Sequence, residues 1–107
     1  MDVRRLLGSC GIILPAGKLA ASANEMAHVT AAVGLESANS FDAAEKSYRV
    51  ILEKWPTSLV GLISLANLNF KQGQFKESVL LLRRAVAAHP QSEAAQHNLL
   101  VAESKIN

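Results

Sequence analysis

The sequence predicts an all-α fold, an α-α superhelix of two helical hairpins followed by a C-terminal capping helix. Three observations support this prediction. The segment from Asn39 to Ser58 returns, position by position, from Gly73 to Ser92, with a constant offset of 34 in the numbering. Apolar residues recur every three or four positions, which is the period of an amphipathic helix. Aromatic residues make up only 5% of the chain, whereas strands favour aromatic and β-branched residues.

The first hairpin is predicted over residues 24–36 and 41–55, with a short polar turn between them. Each segment carries one apolar stripe at helical spacing. In the second segment the stripe consists of Phe41, Ala44, Tyr48, Ile51 and Trp55. Pro56 then ends this helix, because a proline forces the preceding residue away from helical geometry.

The second hairpin is predicted over residues 58–71 and 75–88 and repeats the same signals. Gly73 falls on Asn39 at this offset, and both residue types tolerate the left-handed backbone that ends a helix. Pro90 falls on Pro56 in the same way. Ser58 and Ser92 follow the two prolines and are predicted to cap the next helices, because a serine side chain accepts from the free backbone N–H groups.

A fifth helix is predicted over residues 92–105. Its apolar stripe consists of Ala95, Leu99, Ala102 and Ile106. Its remaining face consists of Gln96, His97, Glu103 and Lys105. One apolar and one polar face are what a helix needs to cover the end of a stack, so this segment is interpreted as the cap.

The charge distribution argues against a nucleic-acid binder. The net charge is +2, and the excess comes from Arg4, Arg5 and Lys18 against Asp2. Residues 24–107 hold eight basic and eight acidic side chains. No basic face of the kind that binds phosphates is present in the pattern. The single cysteine, Cys10, excludes an internal disulfide and a metal site built from cysteines.

Residues 1–23 are interpreted as an N-terminal arm or targeting segment, and residues 24–107 as the helical repeat domain. The arm has two arginines, an apolar stretch and a small-residue run, which is the order of a secretory signal. A mitochondrial or plastid transit segment, a bacterial lipoprotein box around Cys10, and an uncleaved arm that packs on the protein are the alternatives. The compartment is therefore open, with an organelle or a bacterial envelope as candidates. No stretch reaches the roughly 18–20 apolar residues of a membrane span.

No catalytic, cofactor or metal site is predicted. His28, His89 and His97 do not share a helix face, so their spacing does not support metal binding. His89 lies in the last turn of its helix, where a cation complements the carbonyl groups. No glycine loop precedes a helix in the manner of a phosphate site. The sequence therefore predicts a protein that is not an enzyme.

The period and the pattern resemble the tetratricopeptide repeat family over residues 24–107, most specifically over 39–92. The matching positions in the second repeat, which begins at Leu59, are Leu62, Leu65, Ala66, Gly73, Phe75, Ser78, Leu82, Ala85 and Pro90. Leu62 replaces the usual tryptophan and Asn69 the usual aromatic residue. In the first repeat the second helix carries the match.

The resemblance implies that the first helix of each unit lines an inner, concave surface. The predicted partner-binding groove consists of Val29, Val33, Val60, Ile63, Asn67, Phe70, His97, Asn98 and Val101, with Met26 and Ala94 beside it. Such a mostly apolar groove suits a partner helix or an extended apolar segment. A carboxylate clamp is not expected, because Ile63 stands where that branch of the family has a lysine.

The resemblance therefore implies a protein–protein interaction module, an adaptor or assembly factor. The alternative is an accessory structural subunit that is permanently docked in a larger organelle or envelope membrane complex. About three repeats are needed for a stable stack, and this chain has two and one further helix. We expect additional stabilisation from a partner, from self-association, or from the N-terminal arm.

Overall fold

The computed structural model describes residues 23–106, and this part of the chain forms five helices. They are α1 (Ala23–Ser37), α2 (Phe41–Lys54), α3 (Leu59–Lys71), α4 (Phe75–Ala88) and α5 (Glu93–Glu103). Each predicted helix is present, and the ends differ from the prediction by at most two positions. The all-α prediction is confirmed for these residues. The predictions for the N-terminal arm, Cys10 included, lie outside the described residues.

The five helices form an open stack. Consecutive helices pack together, most extensively α1 with α2 and α3 with α4, and α5 then packs on α4. The central helix α3 contacts all four others, whereas α1 and α5 do not contact each other. A closed bundle would bring these two helices together, so the arrangement is that of side-by-side hairpins ending in α5.

Two turns with the same left-handed backbone close the hairpins. Asn39 has a φ of 63° and Gly73 a φ of 79°, and the two positions are separated by one repeat period. Glycine adopts this conformation without a steric cost, and asparagine is one of the few other residues that adopt it readily. The predicted equivalence of these two positions is confirmed.

The same hydrogen bond accompanies both turns. The N–H of Ser40 donates to the carbonyl of Leu35 at 2.9 Å, and the N–H of Gln74 donates to the carbonyl of Asn69 at 2.8 Å. This bond, from each residue to the fifth one before it, is the mark of a Schellman motif, which satisfies the last carbonyl groups of a helix. The backbone of α1 and of α3 therefore ends in the same geometry.

The starts of α3 and α5 are also equivalent. The side chain of Ser58 accepts from the N–H of Gly61 at 3.0 Å, and that of Ser92 accepts from the N–H of Ala95 at 3.2 Å. Both predicted N-caps are confirmed. Gly61 lies against α2, where an added methyl group would be 3.0 Å from the Cγ2 atom of Ile51.

Two side chains at the C-terminal end of α4 contact the turn at Pro56, which joins the two hairpins. The Nη2 atom of Arg84 donates to the carbonyl of Pro56 at 3.3 Å. The Nε2 atom of His89 lies 2.6 Å from the carbonyl of Thr57, and since a carbonyl only accepts, this nitrogen carries the proton. His89 thus joins the C-terminus of α4 to the turn before α3.

The core runs through the middle of the stack. Every residue of α3 from Val60 to Asn69 is buried, on all faces of the helix. α2 and α4 contribute one buried stripe each from the sides. The largest fully buried apolar side chains are Tyr48, Ile51, Leu62, Ile63, Leu65, Leu68 and Leu82.

Replacing Gly73 by alanine should lower the free energy of unfolding, because alanine strains the left-handed turn by roughly 1–2 kcal/mol. Gly34 provides the control. It lies inside α1 with nothing within 4 Å of an added methyl group, so Gly34→Ala should stabilise the chain by about 0.5–1 kcal/mol. Chemical denaturation measures both, and equal effects of the two substitutions would contradict the assigned turn.

Leu82→Ala should destabilise the chain by about 2–5 kcal/mol, because it leaves a cavity in the core. Leu80 lies on the same helix and is 54% exposed, so Leu80→Ala should cost about 0.5 kcal/mol or less. Denaturant unfolding of the two variants compares them directly. A similar loss at both positions would show that the register of α4 is wrong.

Candidate protein-binding surface

The candidate groove lies on α1, α3 and α5, and the repeat period arranges it in rows across these helices. One row holds Val29, Ile63 and His97. The next row, one helical turn further on, holds Val33, Asn67 and Val101. Equivalent positions of stacked repeats lie side by side, so each row crosses all three helices. We call this set of rows the inner face.

Burial divides the groove residues into a floor and a rim. The floor residues are buried and consist of Val29, Val60, Ile63, Asn67 and Asn98. Val33 and His97 are exposed, and Phe70 and Val101 are partly buried. Asn98 has an interaction partner and is not free. The rim therefore offers side-chain surface to a partner, whereas the side chains of the floor are out of contact with solvent.

The floor contains a polar atom without a hydrogen bond. Asn67 is only 4% exposed, and its Oδ1 atom has no hydrogen-bond partner within the described residues. A buried acceptor without a donor costs about 1–3 kcal/mol relative to a satisfied one. The amide of Asn67 is therefore a place on the floor where a donor would be stabilising.

Phe70 is held in place at the C-terminal end of α3. Its ring packs edge-to-face on Phe75, the first residue of α4, with 5.1 Å between the ring centroids. Edge-to-face geometry is favourable for aromatic pairs. The contact spans the Gly73 turn, so it fixes Phe70 relative to both helices of the second hairpin.

Beside the rim, a polar cluster joins three helices. The hydroxyl of Tyr48 on α2 donates to Oε1 of Glu36 on α1 at 2.9 Å. The ammonium group of Lys71 on α3 donates to Oε2 of the same carboxylate at 2.6 Å. One carboxylate thus satisfies a donor from each neighbouring helix, and charge-assisted bonds of this kind are stronger than neutral ones.

The environment of Tyr48 raises the pKa of its hydroxyl. Burial is the largest cause, since it disfavours the charged phenolate, and the negative charge of Glu36 adds to it. The hydrogen bond to Glu36 acts in the same direction, because only the neutral hydroxyl can donate it. Tyr48 therefore stays protonated at neutral pH, and its hydroxyl keeps donating to Glu36 there.

A buried polar contact joins the N-termini of α1 and α3. The hydroxyl of Ser58, which caps α3, donates to Oε2 of Glu25 in the first turn of α1. Glu25 is buried and also lies at the positive end of its own helix. The contact sets the two inner helices side by side at their first turns.

The comparison with known families agrees with this architecture. A sequence model described as tetratricopeptide repeat matches residues 35–102. The chain belongs to the tetratricopeptide repeat family. The resemblance inferred from the repeat period is confirmed. No curated protein and no solved structure gave a significant match to the chain.

Tetratricopeptide repeats generally mediate protein–protein interactions, so a protein partner is expected for this chain. Within residues 23–106, no helix is long and apolar enough to cross a membrane. In the same residues there is no group of three or more potential metal-binding side chains. His28, one of the three histidines of the chain, packs edge-to-face against Trp55, with 5.6 Å between the ring centroids.

The polar contacts of the tetratricopeptide repeat stack were not predicted from the sequence. Glu36 and Lys71 are separated by close to one repeat period, but nothing in their local sequence distinguishes them from ordinary surface charges. Glu25 and Ser58 are also separated by about one repeat. A search of the sequence for opposite charges, or for donor–acceptor pairs, about one repeat apart could have indicated both contacts.

Tyr48 is the only tyrosine of the chain, so its ionisation can be followed directly by absorbance. The folded-state pKa is raised above the unfolded value of about 10. The stabilisation by the neutral Tyr48 hydroxyl is therefore fully present below about pH 10, and it is lost as the pH rises towards the folded-state pKa. The free energy of unfolding should fall above about pH 10, and more steeply than in Tyr48→Phe.

The titration itself provides the check. The folded chain should form no tyrosinate near pH 10, whereas the chain in denaturant should titrate there. Tyr48→Phe removes the ionisable hydroxyl and leaves every other titratable group in place, so it is the control for the pH dependence of stability. Titration of Tyr48 at its ordinary pKa in the folded chain would mean that the hydroxyl is not buried beside Glu36.

Proposed function

We propose that this chain is a non-enzymatic adaptor or assembly factor that binds a helix or an extended segment of a partner protein on its inner face. The observation that supports this proposal is the apolar rim around a largely apolar floor. Val33 on α1 is 41% exposed, and Phe70 and Val101 are partly exposed on α3 and α5. A partner that crosses the rows would contact all three helices at once.

The side chains of the inner face indicate the chemical character of the partner segment. The floor and rim are mainly valine, isoleucine and phenylalanine, so apolar side chains at helical or extended spacing fit best. The body carries equal numbers of basic and acidic residues, so long-range attraction of a strongly charged partner is not expected. Asn67 would accept a hydrogen bond from a partner N–H group that reached the floor.

A second candidate function is that of an accessory structural subunit held permanently in a larger complex. Two leucines outside the inner face favour it, because Leu80 and Leu100 are 54% and 68% exposed. Obligate interfaces are more hydrophobic than the rest of a protein surface, and exposed leucines are the side chains that such an interface would bury. Co-purification that survives high salt and detergent would support the permanent subunit, and reversible binding of an isolated segment would support the adaptor.

Val33→Asp should weaken partner binding about tenfold or more, which corresponds to about 1.4 kcal/mol, because it places a charge on the apolar rim. Val50→Asp on α2 is the matched control, since Val50 is exposed to 40% and lies outside the inner face. Helical and extended peptides selected on the unmodified full chain from a displayed library serve as probes.

The dissociation constants are measured by titration with each selected peptide. Far-ultraviolet circular dichroism of both variants verifies that the fold is retained. An equal loss of peptide affinity in the two variants would contradict the proposed function. A library that yields no peptide binding at the inner face would contradict it as well.

A further inference from the structure

One face of α3 receives the helix that precedes it in the stack. Its four residues have the spacing of a single helix face, and all are buried: Gly61, Ser64, Leu65 and Leu68. The preceding helix α2 lies directly against this face. A methyl group added to Gly61 would be 3.0 Å from the side chain of Ile51 and 3.1 Å from that of Leu52.

The equivalent face of α5 receives α4 in the same way. One repeat period further along the chain, this face consists of Ala95, Asn98, Leu99 and Ala102. Leu99 is partly buried, and the other three residues are fully buried. The helix that α5 contacts most extensively is α4. Two of the three inner helices therefore bury this face under the helix before them.

On α1 the equivalent residues are exposed. One repeat period before those of α3, they are Ala27, Thr30, Ala31 and Gly34. Nothing lies within 4 Å of a methyl group added to Gly34. Within residues 23–106, α1 contacts only α2 and α3, and neither helix covers this surface. We call these four residues the end face.

The end face has the chemistry of a helix contact. None of its residues is charged, and the two carboxylates of α1, Glu25 and Glu36, instead bind side chains of other helices. The hydroxyl of Thr30 donates to the carbonyl of Met26 at 2.9 Å, so burial of Thr30 would leave no unpaired donor. Covering the end face is therefore favourable, because no charged group has to be desolvated.

We propose that the end face binds the end face of a second copy of this chain, so that two stacks join through their α1 helices. In a symmetric dimer the same surface lies on both sides of the contact, so a charged surface would bring like charges together. The other outer helices α2, α4 and α5 present charged side chains to solvent, among them Lys46, Arg83 and Glu93. Within residues 23–106, α1 is the outer helix without an exposed charge.

The length of the stack also favours a second copy as the occupant. About three repeats are needed for a stable stack, and the described residues form two hairpins and one further helix. Two copies joined through α1 form one stack with four hairpins. This inference goes beyond the proposed function, since no residue of the end face belongs to the groove.

The size of the contact sets the expected affinity. The 15 residues of α1 span about 22 Å, and the side of one such helix is smaller than the roughly 800 Å² per partner of a stable interface. We therefore expect a reversible dimer with a dissociation constant between roughly 1 μM and 1 mM.

Sedimentation equilibrium of the full chain, at concentrations up to about 1 mM, tests the proposal. The average mass should approach that of two chains as the concentration rises. Ala31→Arg should raise the dissociation constant roughly tenfold or more, because it brings two like charges together at the contact. Ala87→Arg makes the same change at an exposed alanine of α4 and should leave the constant unchanged. A chain that stays monomeric, or equal weakening by both substitutions, would overturn the proposal.

Disulfide cross-linking locates the contact without adding a charge. Ala31 lies in the middle of the end face, where a two-fold axis brings the same residue of both copies together. In a Cys10→Ser background, Ala31→Cys should therefore form covalent dimers under oxidising conditions faster than Ala87→Cys. Cross-linking at equal rates would show that the chains do not meet at the end face. Neither measurement uses a peptide, so both are independent of binding at the inner face.

Discussion

The structure depends on the coverage of α3 from all sides. Every residue of this helix from Val60 to Asn69 is buried, so it has no face that water stabilises. Each fully buried leucine or isoleucine contributes about 1.5–3 kcal/mol relative to exposure. Since α3 is the only described helix that contacts the other four, the two hairpins and the cap are held together through it. Loss of any neighbour exposes apolar surface at the centre.

The two hairpin turns have the same backbone geometry, but they differ in backbone strain. Gly73 adopts the left-handed backbone freely, whereas Asn39 carries a side chain in it. The more strained turn lies next to a polar cluster, since Glu36 closely precedes Asn39 and accepts hydrogen bonds from both Tyr48 and Lys71. These bonds hold the C-terminus of α1 against α2 and α3, so long-range contacts compensate for the less favourable local turn.

The sequence was sufficient for the features that repeat locally. The repeat period predicted the helices, the two serine caps and the left-handed positions, because each depends on a few neighbouring residues. The burial of the groove residues was not predictable in this way. Val29 and Val33 are one turn apart on α1 and belong to the same predicted surface, yet Val29 is buried and Val33 exposed. That difference arises from what packs over each residue, and periodicity within one helix does not contain this information. The contacts of Glu36 and Glu25 depend in the same way on residues about one repeat distant.

If the inner face binds a partner as proposed, the polar groups of α3 couple folding to binding. Ser64, Asn67 and Asn69 each have a buried side-chain atom without a hydrogen-bond partner in the described part of the chain. Each such atom lowers stability by about 1–3 kcal/mol, and Asn69 also stands where the family usually has an aromatic residue that fills the core. A stack of two repeats has little apolar burial to offset these costs. Any segment that covers the inner face shields the same helix from water, and binding to the native state alone raises stability by mass action. The helix at the centre of the proposed binding surface is thus also the helix whose exposure most limits stability.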